Sequence, residues 1–336
     1  MGSRYHCLEK FTKENEIPDP DKILTALEQV KKVMDNENPL IRPYDRGGSP
    51  GGLVMLKDLP LIIVPDLHAR VDYMKTLAGW IPPGMDMPVL SLLEEGKIQI
   101  VCAGDGFHSE GAKRERWIQS YQEYIGGFEK HRAMDDEMRE SLTLMLIVMD
   151  WKTRYPDLFH FLKGNHENIM NENTADNRAF AKFAAEGEMV KVWSRRFLGD
   201  KVLSSYYDFE KFLPIMAVGS LCCVTHAEPR NYYTKDEIIN CYMNREIIFD
   251  FTWTDNGESK KGTVESYLSE YFPHLPEARM YGGHRPVKDL YQLRAEGRYV
   301  QIHNPERYAA VFLNSITDFE TNQGLHYLDN QNFSRE

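Results

Sequence analysis

The chain has 336 residues, 42% of them apolar and 27% charged, which suits one large α/β domain or two small ones with ample core. A formal net charge of −11 argues against nucleic acid or an anionic membrane as the main partner, because their phosphates would be repelled unless a local basic patch overrides it. No apolar run approaches the length of a membrane helix, and residues 1–6 hold no apolar signal core, so the expected location is the cytoplasm. Five cysteines are present (Cys7, Cys102, Cys222, Cys223 and Cys241); an odd count with three in apolar strands and no CxxC pair suits buried reduced thiols.

Residues 1–57 read as an N-terminal extension. Within it, 21–34 is predicted helical, because Ile23, Leu27, Val30 and Val33 recur at helical spacing after Asp21. Residues 36–52, rich in Gly and Pro, read as a connector. The predicted main domain spans 58–330. Its first strand, 59–64, runs into Pro65-Asp66-Leu67-His68, where an extended backbone would put Asp66 and His68 on one face. A second strand, 97–102, ends in Gly104-Asp105-Gly106-Phe107-His108.

A helical block follows, about 110–156. Trp117, Ile118, Tyr121, Tyr124, Ile125 and Phe128 fit one apolar face; Met138, Leu142, Met145, Leu146, Val148 and Met149 fit another. The short run 158–162 is a buried strand that ends in Lys163-Gly164-Asn165-His166-Glu167. Residues 177–197 read as helix, with Phe180, Phe183, Met189, Val192 and Trp193 as its apolar members. A hairpin is predicted over 211–225, ending at His226. A helix over 234–244, an aromatic stretch at 251–257 and a helix over 263–272 lead to Gly283-His284-Arg285-Pro286. The tail, 290–313, reads as antiparallel strands closing a sheet.

Each polar tip alone fits a structural strand end. Together, Asp66/His68, Asp105, Asn165/His166, His226 and His284 follow five strands in turn. Carboxylate, carboxamide and imidazole without thiolate suit borderline to hard ions such as Mn²⁺, Fe²⁺ or Zn²⁺. Six ligands exceed one zinc tetrahedron but suit two ions that share a carboxylate.

The order of these tips resembles the calcineurin-like metallophosphoesterases, closest to the phosphoprotein (Ser/Thr) phosphatases and their bacterial relatives. The family's Gly-Asp-x-His-Gly is similar to Pro65-Asp66-Leu67-His68-Ala69, and its Arg-Gly-Asn-His-Glu to Lys163-Gly164-Asn165-His166-Glu167. Thr225-His226-Ala227, Trp253-Thr254-Asp255 and Gly283-His284-Arg285-Pro286 resemble its later motifs. The resemblance implies an α/β four-layer fold with a central β-sandwich flanked by helices, and it makes the block at 110–156 an insertion. It implies two divalent ions, one on Asp66, His68 and Asp105, the other on Asp105, Asn165, His226 and His284. A hydroxide between them would attack phosphorus in line, and His166 would protonate the leaving oxygen.

Two departures bear on substrate. Where the family has Asp beside the acid histidine and then Arg, this chain has His108 and Ser109. Lys163 replaces the Arg before Gly-Asn-His-Glu. Lys163, Arg230, Arg285 and His108, or a member of the Lys113–Arg116 cluster, are therefore the candidates for holding substrate. The expected activity is a phosphomonoesterase acting on a phosphorylated small molecule, nucleotide or phosphoprotein, with a preference unlike that of a standard phosphoserine phosphatase. A nucleotide or dinucleoside polyphosphate hydrolase and a non-catalytic metal-binding scaffold are the alternatives.

Overall fold

The computed structural model describes residues 16–172, 174, 178–314 and 324–328. Cys7 lies outside them; Cys102, Cys222, Cys223 and Cys241 are buried and free. Helix α1 (Pro20–Met34) starts at Asp19, whose carboxylate accepts the Asp21 N–H, with Pro20 in the first turn. Its buried face is Ile23, Leu27, Val30 and Met34. Strands β1 (Leu53–Met55) and β2 (Leu61–Val64) follow, then α2 (Val71–Gly79) and α3 (Val89–Glu94). Next come β3 (Gln99–Cys102), α4 (Arg114–Ile125), α5 (Arg132–Arg154) and β4 (Phe159–Phe161). The second half runs α6 (Glu186–Phe197), α7 (Asp200–Glu210), β5 (Met216–Val218), β6 (Cys222–Thr225), α8 (Lys235–Ile239), α9 (Arg245–Thr252) and α10 (Thr263–Tyr271). It closes with β7 (Arg279–Gly282), β8 (Gln292–Arg294), β9 (Tyr299–Gln301), β10 (Ala309–Leu313) and β11 (Leu325–Tyr327).

Two mixed sheets stack. One has the order β11-β10-β2-β3-β4, the other β1-β5-β6-β7-β9-β8. Side-chain alternation along the strands decides the layers. Leu61 and Ile63 of β2, Val101 of β3 and Val311 and Leu313 of β10 meet Val224, Tyr281 and Val300 of the other sheet. The alternate residues Ile62, Val64, Ile100, Cys102 and Phe312 face a helical layer that includes Leu27 and Val30 of α1 and Leu144 to Met149 of α5. On the far side, Met216, Cys223 and Met280 pack against Ile247, Phe251 and Tyr267 of α9 and α10. The result is the expected four-layer arrangement of helices, sheet, sheet and helices.

Within this frame α1 and β1, from the stretch read as an extension, pack into the same layers as everything else. In α5 the whole predicted face is buried. In α4 it is not: Trp117 is buried, but Ile118, Tyr121 and Ile125 are exposed. Helix α6 begins at Glu186, so Phe180 lies in a loop rather than a helix; Asn177 lies outside the described residues. The predicted aromatic stretch begins on the last two residues of α9, Phe251 and Thr252, and runs on into a turn over 253–257. The tail does not close one sheet. β8 and β9 belong to the six-stranded sheet and β10 to the other, and β9 runs parallel to β7. No helix among the described residues is long and apolar enough to cross a membrane.

Candidate metal centre

β2, β3 and β4 are parallel neighbours, as are β6 and β7, so their carboxyl ends open on shared sides of the two sheets. The segments that follow them meet between the sheets. Leu67 and His68 donate their N–H groups to the Asp105 carbonyl (3.1 and 2.7 Å), and Gly283 N–H donates to the His226 carbonyl (2.8 Å). Asp66 and His68 therefore do not converge through an extended strand. His68 (φ 43°) and Ala69 (φ 58°) turn left-handed, as do Asp105 (φ 52°), His108 (φ 65°) and His284 (φ 65°). Such backbone is costly for non-glycine residues and concentrates where a site must be shaped.

The Asp105 tip is held by Glu167, a residue outside the expected ligand set. Its buried carboxylate accepts the N–H groups of Asp105 (2.9 Å), Gly106 (2.8 Å) and Gly164 (2.7 Å). Asp105 Oδ1 in turn accepts the His166 N–H (2.9 Å), and Asp66 Oδ2 accepts the His284 N–H (2.9 Å).

The expected ligands come together. His226 Nε2 is 3.5 Å from Asp105 Oδ2, His68 Nε2 is 3.8 Å from the same oxygen, and His226 Nδ1 is 3.8 Å from Asp66 Oδ1. Asn165 Oδ1 lies 3.0 Å from His226 Nε2 and 2.9 Å from His284 Nδ1. Three overlapping groups, Asp66/His68/His303, His68/Asp105/His166 and Asp66/Asp105/His226, each offer donor atoms within 4.8 Å of one another.

The donor set fits cations. His68 Nδ1 faces the His108 carbonyl at 2.9 Å and His226 Nδ1 faces the Ala103 carbonyl at 3.0 Å. Each Nδ1–H must donate there, which leaves both Nε2 lone pairs aimed at carboxylate and carboxamide oxygens. Asp66 Oδ1 and His284 Nε2 are buried with no hydrogen-bond partner among the described residues. Burial and the neighbouring Asp66 and Glu167 push the Asp105 carboxyl well up, and burial with Glu110 pushes Asp66 up to about 6, although His303 opposes it. Burial lowers His68 to about 4 and His284 to about 3, and holds His226 well below the usual range. Crowded buried carboxylates beside neutral imidazoles are what divalent ions would relieve.

His166 and His108 meet through their Nδ1 atoms at 2.7 Å. Burial lowers both, His108 to about 3. Phe180 covers the pair, 3.8 Å from the His166 ring centre. The predicted substrate cations are placed differently. The Lys163 ammonium is buried against the carbonyls of Glu167 (2.6 Å) and Glu210 (3.2 Å). Arg285 forms a bidentate pair with Asp255 (2.7 and 2.8 Å), and Arg230 pairs with Glu258. Arg116 is taken by Glu137 and Glu140, and Glu137 also anchors Ser109. Two partners were missed by sequence reasoning, His303 and Glu110; Lys182 pairs with the latter at 2.6 Å.

No protein-family model matches the chain. It is similar to a serine/threonine-protein phosphatase of Caenorhabditis elegans, 23% identical over 209 residues that cover 55% of this chain and 42% of the relative. It is also similar to serine/threonine-protein phosphatase PP1-delta of the same organism, 21% identical over 208 residues covering 56% and 64%. These matches span less than two thirds of either relative. A solved protein serine/threonine phosphatase from Saccharomyces cerevisiae, described as similar to human phosphatase PP5, superposes with a TM-score of 0.60 at 12% identity, covering 97% of this chain and 95% of the other. The fold is thus of the serine/threonine phosphatase type. The curated relatives and the buried His/Asp groups bear out the resemblance to the calcineurin-like metallophosphoesterases.

Proposed function

We propose that the chain is a metal-dependent phosphoesterase whose two divalent cations are held by Asp66, His68, Asp105, Asn165, His226 and His284. The observation that carries this reading is the convergence of carboxylates and lone-pair imidazoles from five strand ends, with buried polar atoms left unpartnered among the described residues. Bound cations of this kind supply a strong nucleophile from water at neutral pH and neutralise phosphoryl oxygens. Asp105 lies between the two ligand sets and orients them, and Glu167 keeps Asp105 in place through three N–H bonds. Asn165 presents its carbonyl oxygen toward His226 and His284. His166 delivers a proton to the leaving oxygen from Nε2, which lies 3.7 Å from Asp105 Oδ2.

The 2.7 Å contact between His166 and His108 bears on the substrate. Two imidazoles that face through Nδ1 share one proton, so His166 lacks the negative partner that would stabilise its acidic form. The enzyme is therefore suited to leaving groups that need little protonation, such as aryl oxygens, acyl phosphates or pyrophosphate linkages. Turnover of an aryl phosphate, a phosphoserine peptide and a dinucleoside polyphosphate by Mn²⁺-loaded protein tests this. The aryl ester or the anhydride is expected to exceed the phosphoserine peptide at least tenfold in kcat/KM, and the reverse order would contradict the assignment of substrate class.

A further inference from the structure

We infer that His303 is a seventh protein ligand of the metal centre, joining Asp66 and His68 at the first cation, with Glu110 as the carboxylate that orients it. The inference rests on the reading of the cluster as a metal centre. Because β9 runs parallel to β7, its carboxyl end opens on the same side as the strand end that carries His284. Residues 302–304 then form a sixth strand tip of the same kind: strand, apolar residue, histidine.

His303 is fully buried. Its Nε2 lies 2.9 Å from Glu110 Oε2, so Nε2–H donates to that carboxylate and Nδ1 is left as a lone pair. Nδ1 has no hydrogen-bond partner among the described residues and sits 3.7 Å from Asp66 Oδ2. Asp66, His68 and His303 offer donor atoms within 4.8 Å of one another. His68 is built the same way: Nδ1–H donates to a carbonyl behind it and Nε2 lies 3.9 Å from Asp66 Oδ2. Two imidazoles, each fixed in tautomer by an oxygen behind it, therefore converge on one carboxylate. A buried lone pair that faces a carboxylate oxygen is unfavourable by itself, and a cation between them makes both contacts favourable. A histidine needed only to brace the β9–β10 turn would use both ring nitrogens on protein partners. With two imidazoles at the first position, the centre should favour Fe²⁺, Co²⁺ or Zn²⁺ over Mn²⁺ or Mg²⁺.

The test uses the full chain loaded with Co²⁺, and proton NMR of the paramagnetic protein. Four hyperfine-shifted, exchangeable imidazole N–H signals are expected, from His68, His226, His284 and His303. Equilibrium dialysis against Co²⁺ should give two ions per chain in the wild type. In His303→Gln one ion should keep its affinity, the other should weaken at least tenfold, and one shifted signal should vanish. Glu110→Gln should weaken the same ion about tenfold while the ring still ligates. Three shifted signals in the wild type, or both ions bound by His303→Gln at wild-type affinity, would overturn the role of His303 and leave the phosphoesterase reading standing. A wild-type chain that binds no Co²⁺ would overturn both. The wild-type signal count does not depend on whether either variant folds.

Discussion

At the scale of single residues, the centre leaves no room for added atoms at its tips. A Cβ on Gly283 would come 1.8 Å from Asp66 Oδ1, and one on Gly164 would come 2.1 Å from Asp105 Oδ1. Gly283→Ala must therefore push Asp66 out of place. It is expected to lower metal-dependent kcat/KM at least a hundredfold and to reduce bound metal, measured by elemental analysis; an alanine variant with wild-type metal content would contradict this. The convergence of Asp66, His68, Asp105, Asn165, His226 and His284 was legible in the sequence because each follows a strand and carries a ligand-type side chain. His303 has the same signature but was hidden: β9 does pair antiparallel with β8, as the tail reads, yet its parallel pairing with β7, which brings its carboxyl end beside His284, leaves no mark in the sequence. Lys163, an expected substrate cation, is engaged elsewhere. Its residue type announces a charge, but only the fold shows the ammonium turned onto two backbone carbonyls.

At the scale of elements, parallel strands were the easiest to find, because β2 and β3 are buried on both faces: β2 reads as an unbroken apolar run and β3 as one broken only at Gln99. α1 was found from its stripe, though the stretch around it read as an extension. Leu27 of α1 is only 2% exposed, so Leu27→Ala should cost about 2–5 kcal/mol, read as a lower urea midpoint with unchanged slope. A cost near zero would mean that α1 is not part of the cooperative core. α9 escaped notice because the β-branched and aromatic residues at its end favour strands in isolation, and burial of Ile247, Ile248 and Phe251 decides the matter instead. The start of α6 was placed too early because Phe180 fits its apolar spacing, yet that ring is used on His166.

At the scale of the whole molecule, pH should act on stability through buried histidines as well as through the metal centre. His160 in β4 touches no predicted ligand; its Nδ1 lies 3.4 Å from Lys152 Nζ, and burial with Lys152 lowers it to about 3. Its unfolded value is about 6.5. The unfolded chain therefore takes up a proton at His160 below about pH 6.5 while the folded chain does not, so its contribution to stability is full above that pH and is lost as pH falls toward 3. Between pH 7 and 5 the wild type should lose about 2 kcal/mol more stability than His160→Gln, both measured by urea unfolding in EDTA. Equal losses would remove His160 from the account. Hydrolysis of p-nitrophenyl phosphate with and without Mn²⁺, beside Asp105→Asn, shows whether the six strand-end residues make a metal-dependent phosphoesterase. Turnover should require the metal, be abolished by EDTA and fall at least a thousandfold in Asp105→Asn. Turnover that survives EDTA, or an Asp105→Asn variant as active as the wild type, would contradict it.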